Sequence, residues 1–296
     1  MDLSTDEIIN YFGYPAETHY ITTVDGYILT MHRIPNPGGV PVYLQHGFMD
    51  SSATWVLTGP GKALAFILAD EGFDVWMGNF RGNRYSRNHV CKSVEDNEFW
   101  DFCWDDMGKK DVTAMIDHVL DVTCWPKLFH VGHSMGTTTF YVTASCVPEY
   151  NQKVFAHFSL APVAFMKHCR SPIRYFTYWE PFLQVLTQKK MSVFNYFELP
   201  ESLSQTNLRH YNSVTPPKYD LNQITVPVSL HYSSNDALAA VLDVQRLAKG
   251  LPNVINMQLV DDPMWNHIDF TWGIEAPQLV YENVISIMKN ITMPPF

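Results

Sequence analysis

The feature that most constrains this chain is a long alternation of short apolar runs with amphipathic stretches. Residues 40–47 (VPVYLQHG), 73–79 (FDVWMGN), 127–132 (KLFHVG), 154–162 (VFAHFSLAP), 226–234 (VPVSLHYSS) and 254–260 (VINMQLV) read as strands. Between them, 62–72 (KALAFILADEG, closed by Gly72), 105–122, the stretch after Gly136, 240–249 and 278–289 carry apolar residues at three and four spacing, the period of a half-buried helix. Ahead of them, 17–34 (ETHYITTVDGYILTMHRI) alternates around Asp25-Gly26 as a hairpin does. Strands that alternate with helices predict an α/β fold with a mostly parallel central sheet and helices on both faces. With 46% hydrophobic residues in 296, the chain can bury a core of that size.

One segment breaks the rhythm. From Ala164 to about Lys218 there is no β-α period; the stretch is rich in aromatics (Tyr175, Phe176, Tyr178, Trp179, Phe182, Phe194, Tyr196, Phe197) and ends at Pro216-Pro217. A segment this long outside the alternation reads as a cap or lid over the sheet. The expected organisation is therefore a core in two parts, 1–163 and 218–296, with an insertion at 164–217. The aromatics would serve apolar contacts or pack the insertion onto the body.

Within the alternation, Gly132-His133-Ser134-Met135-Gly136 falls between a strand and a helix. In that context G-x-S-x-G is a nucleophile elbow: a strained turn lifts the serine hydroxyl above the sheet's carboxyl edge. Serine attacks only when a base takes its proton and an acid orients that base. On this architecture the order along the chain is Ser, acid, His. Asp236 stands just past the strand in 226–234, and His267 follows the strand 254–260. Asp243 falls inside the next helix, and Asp261 and Asp262 adjoin the wrong loop. The developing oxyanion needs two backbone N–H groups. Met135, after the nucleophile, supplies one, and Phe48, after the His46-Gly47 turn, supplies the other.

Composition removes other classes. Lys+Arg 20 against Asp+Glu 30 gives −10 with no basic cluster, which argues against nucleic acid. No apolar run approaches the roughly 20 residues of a spanning helix. The five cysteines (Cys91, Cys103, Cys124, Cys146, Cys169) show no zinc spacing and allow at most two bridges. H-E-x-x-H, Walker A and G-x-G-x-x-G are absent, so no metal or cofactor is expected. Twelve histidines make the charge sensitive to acid: protonating all of them would carry it from −10 to slightly positive.

Taken in order, IINYFGYPAETHYITTVDGYILTMHRIP, LQHGFMDSSATW, LAFILADEGFDVWMGNFRGNRYSR, GHSMGTTTFY and LAPVA, then PPKYDLNQITVPV, NDALAAVLDVQRLAKGLPN and WNHIDFTWGIEAPQLVYENVISIM resemble the acid lipase family of animals. The resemblance covers nearly the whole chain apart from the insertion. It implies an α/β-hydrolase fold, Ser134, Asp236 and His267 as triad, and Phe48 and Met135 as oxyanion donors. Two departures concern the site: Met135 stands where the family usually has Gln, and the cap is about half the usual length, without its cysteine cluster.

The expected activity is that of a serine ester hydrolase, a lipase cleaving neutral lipid esters such as triacylglycerols or cholesteryl esters at a lipid–water interface. The rivals are a carboxylesterase for soluble or short-chain esters, and a non-catalytic lipid-binding homologue. The first residues, Met1-Asp2-Leu3-Ser4-Thr5-Asp6-Glu7, are polar and do not form a signal peptide. Because the family is secreted or lysosomal and Met1 falls at its mature start, a leader upstream of this chain is expected, with a cytoplasmic habit as the alternative. Asn290-Ile291-Thr292, the single N-x-[ST] sequon, is the candidate glycosylation site, expected just beyond the last helix.

Overall fold

The computed structural model describes residues 3–171, 212–213 and 218–292. The chain opens with helix α1 (Thr5–Tyr11), which the apolar alternation does not announce. Its start is nevertheless written in Ser4 and Glu7: the Glu7 carboxylate accepts from the Ser4 N–H at 2.7 Å, half of a capping box. The hairpin β1 (Glu17–Thr22) and β2 (Tyr27–Ile34) follows, turning at Asp25-Gly26 with Gly26 at φ 92°.

β3 (Pro41–Gln45), α2 (Leu64–Asp70) and β4 (Asp74–Gly78) begin the βα alternation, and a two-residue strand β5 (Asn88–His89) pairs with β2. The helix expected over 105–122 is a composite. A short turn (Trp104–Asp106) runs into a π-helical stretch (Met107–Val112) and then α3 (Thr113–Thr123), which ends with Cys124 in the left-handed region. β6 (Leu128–His133), α4 (Met135–Cys146), β7 (Val154–Leu160), β8 (Val228–Tyr232), α5 (Val241–Gly250), β9 (Val254–Leu259), α6 (Asp269–Trp272) and α7 (Glu282–Thr292) complete it. Asn290 therefore lies inside the final helix, exposed, rather than beyond it, because a second π-helical turn (Pro277–Tyr281) feeds α7 and carries it through Thr292.

The strands join in one sheet in the order β1-β2-β4-β3-β6-β7-β8-β9. β1, β2 and β4 pair antiparallel, and every pair from β4 to β9 is parallel. β3, β4 and β6 are buried along their whole length, as strands covered on both faces must be. From β3 the chain first moves outward to β4, then crosses to β6 on the other side. This reversal opens a crevice at the carboxyl ends of β3 and β6, the place where open α/β sheets accept ligands.

Of the expected insertion 164–217, only 164–171 and 212–213 fall among the described residues, and the eight aromatics assigned to it lie outside them. Among the described residues no helix is long and apolar enough to cross a membrane, and no group of His, Cys, Asp and Glu could hold a metal ion. Cys91, Cys124 and Cys146 are exposed free thiols.

Candidate active site

Four loops at the carboxyl edge of the sheet meet over the β3–β6 crevice. The first is the turn from β6 into α4. Ser134 sits there at φ 54°, ψ −118°, a conformation that side chains rarely adopt. The glycines around it are dictated by space. A Cβ on Gly132 would come within 2.7 Å of the Gly136 backbone, and one on Gly136 within 2.4 Å of the Gln45 carbonyl oxygen. Strand, turn and helix can therefore cross this tightly only without side chains at those two positions.

The loop after β3 closes on the same point. A Cβ on Gly47 would lie 3.1 Å from the Ser134 Cβ, so the main chain leading to Phe48 passes directly over the elbow. His46 fixes that loop. Its Nε2 accepts from the Phe80 N–H (3.3 Å) and from Asn83 Nδ2 (3.1 Å), which leaves Nδ1 to donate to the Gly47 carbonyl at 2.7 Å. Burial pushes its pKa down, which keeps this neutral tautomer. Met135 is the first residue of α4, and the leading N–H groups of a helix have no intrahelical acceptor.

Beyond β8, the buried carboxylate of Asp236 accepts from the Leu238 and Ala239 N–H groups at 2.7 and 2.9 Å through one oxygen, and faces His267 Nδ1 at 2.7 Å through the other. Burial alone would raise its pKa; the His267 hydrogen bond and charge and the two amides outweigh that and hold it below the usual carboxylate range. His267, between β9 and α6, completes the chain with Nε2 2.7 Å from Ser134 Oγ. With Nδ1–H donated to the carboxylate, Nε2 is left as the acceptor for the serine proton.

The structure thus brings Ser134, His267 and Asp236 into one hydrogen-bonded line, with the Gly47 main chain that leads to Phe48 against the elbow and Met135 at the head of α4. Asp243 is elsewhere: it lies in α5, buried, and accepts from the main chain and Nδ1 of His168 at 2.7 and 2.8 Å. Two contacts were not read from the sequence. Arg170 reaches across to the main-chain oxygens of Ser234 and Asp236, both at 3.1 Å, tying the loop after β8 to the segment after β7. His133 bonds to the carbonyl of His267 at 2.9 Å.

Known proteins resemble this chain over nearly its whole length. Residues 5–59 match the family described as the partial α/β-hydrolase lipase region, and residues 40–210 match the α/β-hydrolase fold. Lipase 1 of Drosophila melanogaster is 35% identical over 358 aligned positions that cover 98% of this chain and 80% of the relative. The chain belongs to the acid lipase family. The lysosomal acid lipase/cholesteryl ester hydrolase of Homo sapiens is 32% identical, with 98% of this chain and 91% of the relative covered. Because these alignments run longer than the 296 residues present, the relatives carry internal segments that this chain lacks. Among solved structures, an esterase of Pyrococcus furiosus superposes with a TM-score of 0.62 at 17% identity, covering 95% of each chain, which is a likeness of fold. This member is a carboxylic ester hydrolase built on the α/β-hydrolase fold.

Proposed function

We propose that this chain is a lipase that hydrolyses neutral lipid esters through an acyl-enzyme on Ser134. The observation that carries the reading is the continuous chain from Asp236 through His267 to Ser134, with both links at 2.7 Å. In the first half-reaction Ser134 Oγ attacks the ester carbonyl while His267 Nε2 takes the hydroxyl proton. The Phe48 and Met135 N–H groups receive the oxyanion, and Asp236 holds the imidazolium in place. Collapse expels the alcohol, protonated by His267. Water then attacks the acyl-enzyme with the same base, releasing the fatty acid and restoring Ser134.

Triacylglycerols and cholesteryl esters are the substrate classes, supported by relatives named gastric triacylglycerol lipase and lysosomal acid lipase/cholesteryl ester hydrolase. The aromatic-rich sequence of 164–217 suits contact with an acyl chain or a lipid surface as well as packing of the insertion onto the body. The same relatives support a secreted or lysosomal setting, reached through a leader upstream of this chain, with a glycan on the exposed Asn290. Mass spectrometry of protein from its own cells tests that setting; an intact Met1 with bare Asn290 would count against it.

The decisive experiment is Ser134→Ala, which should leave the fold intact and lower kcat by about 10⁶, as removal of the nucleophile does in other serine hydrolases. Retention of more than a few per cent of activity would remove Ser134 from the mechanism. Rates on esters of graded chain length, measured below and above substrate solubility, separate a lipase from an esterase: a lipase gains activity once the substrate forms a separate phase.

A further inference from the structure

His133 takes no part in the proton transfers above, yet it is joined to the residue that makes them. It is the last residue of β6, in register with Leu160 of β7, and is buried at 5% exposure. Its Nε2 lies 2.9 Å from the His267 carbonyl oxygen, and the two rings are tilted by 45° with centroids 5.1 Å apart. A carbonyl can only accept, so Nε2 carries the proton. The neutral ring is then bare at Nδ1, and that atom has no hydrogen-bond partner among the described residues.

We infer that His133 is a positioning residue for the reaction: its Nε2–H, donated from the rigid centre of the sheet, pins the main chain of His267 so that one imidazole reaches Ser134 and Asp236 at once. The inference rests on the triad reading above. His267 is a loop residue, and its other main-chain bond, from N–H to the neighbouring Asn266 side chain at 2.6 Å, is local. The bond from His133 spans 134 positions of sequence and ties that loop to the strand that ends at the nucleophile. A change of about 1 Å in the placement of a catalytic group can cost on the order of 10²-fold in rate, so the anchor bears on turnover rather than on substrate affinity. The ring also meets the electrostatic demand of its place. Burial first, and then the neighbouring His267, push its pKa down to about 3. It therefore stays uncharged when His267 becomes an imidazolium, and no second cation opposes the proton transfer.

The test compares three replacements in the full chain. Gln places an amide N–H about where Nε2 stands, Asn places it a bond short, and Phe keeps the ring without a donor. His133→Gln should stay within about threefold of wild-type kcat, while His133→Asn and His133→Phe should lose about 10- to 100-fold in kcat with KM within about twofold. The rate of labelling by a fluorophosphonate should follow kcat, and near-ultraviolet circular dichroism and Tm report whether each variant is folded. Wild-type turnover in Asn and Phe would overturn the inference. So would a loss in Gln as deep as in Asn, which would assign His133 to packing. Ser134→Ala in the same series separates the two ideas. If it is inert while His133→Phe is fully active, only the positioning role fails; if it is active, the triad reading fails as well.

Discussion

At the scale of single residues, the site is a set of steric and tautomeric requirements imposed on a few positions. Ser134 must take a positive φ, Gly136 must admit the Gln45 carbonyl, and His46 must keep Nδ1–H toward Gly47. The triad candidates were legible in the sequence because their order and their places after particular strands follow from the alternation itself. The His133–His267 bond was not, because no local pattern reports a contact across 134 positions. Met135 separates main-chain from side-chain contributions. Its amide heads α4 whatever the side chain, so Met135→Gln, which restores the residue usual in the family, should change kcat within about tenfold, or about 1.4 kcal/mol of barrier. Met135→Pro removes the N–H and should be severe. Normal turnover in the proline variant, with a native circular dichroism spectrum, would take Met135 out of the oxyanion hole.

At the scale of elements, the parallel strands were legible because each is a short apolar run closed by turn residues. Two helical features were not. α1 has only a capping box to mark it, and the π-helical turn at Met107–Val112 has a periodicity that a straight helix shares over so few residues. Tertiary contacts account for that turn's composition. A Cβ on Gly108 would fall 2.7 Å from the Thr139 carbonyl oxygen and 2.7 Å from the Val142 Cβ, so the turn and α4 touch backbone to backbone. Thr143 Oγ1 donates to the Gly108 carbonyl at 2.6 Å, and Asp111, fully buried in the same turn, pairs with Arg81 at 2.6 Å. Because α4 carries the nucleophile at its head, this contact braces the elbow from behind. Gly108→Ala should destabilise the fold by about 1–3 kcal/mol, the usual cost of overpacking, with a lower Tm and a smaller effect on kcat in the folded fraction. An unchanged Tm would mean that the two helices are free to move apart.

At the scale of the whole molecule, the histidines decide how the protein meets acid, and they do so differently from their number in the sequence. The net charge would turn positive only if at least eleven of the twelve took protons. Among the described residues seven are buried, and for six of these, His32, His46, His130, His133, His157 and His231, burial is the first cause that lowers the pKa. His130 and His157 face each other Nδ1 to Nδ1 at 2.9 Å, an arrangement in which one nitrogen must donate and the other accept. A further proton on the accepting nitrogen would set two N–H groups against each other. His157 Nε2 is in turn bonded to Ser159, and His231 lies between Ser229 and Gln258. In the unfolded chain these rings bind protons below about pH 6.5, whereas in the fold they do so only near 4 for His32 and His231 and near 3 for His130 and His133. The unfolded state therefore binds more protons throughout that window, and stability is lost as pH falls through it. At about 1.4 kcal/mol per pH unit, each of these four costs about 2 kcal/mol at pH 5, together about 8 kcal/mol. That is comparable to the roughly 5–15 kcal/mol that holds a typical protein folded. The carboxylates do not add to the loss in this range. Asp25, Asp106 and Asp236 have lowered pKa values, so their stabilisation is intact above the ordinary carboxylate range and disappears only below it. Tm should therefore fall steeply, by more than about 15 °C, between pH 7 and pH 5. Differential scanning calorimetry across that range checks it, and a flat profile would mean that the buried rings find protons or partners in the folded state. The outcome also bears on where the enzyme works: a chain that loses most of its stability by pH 5 is suited to a near-neutral extracellular fluid, and one that holds its Tm is suited to a lysosome.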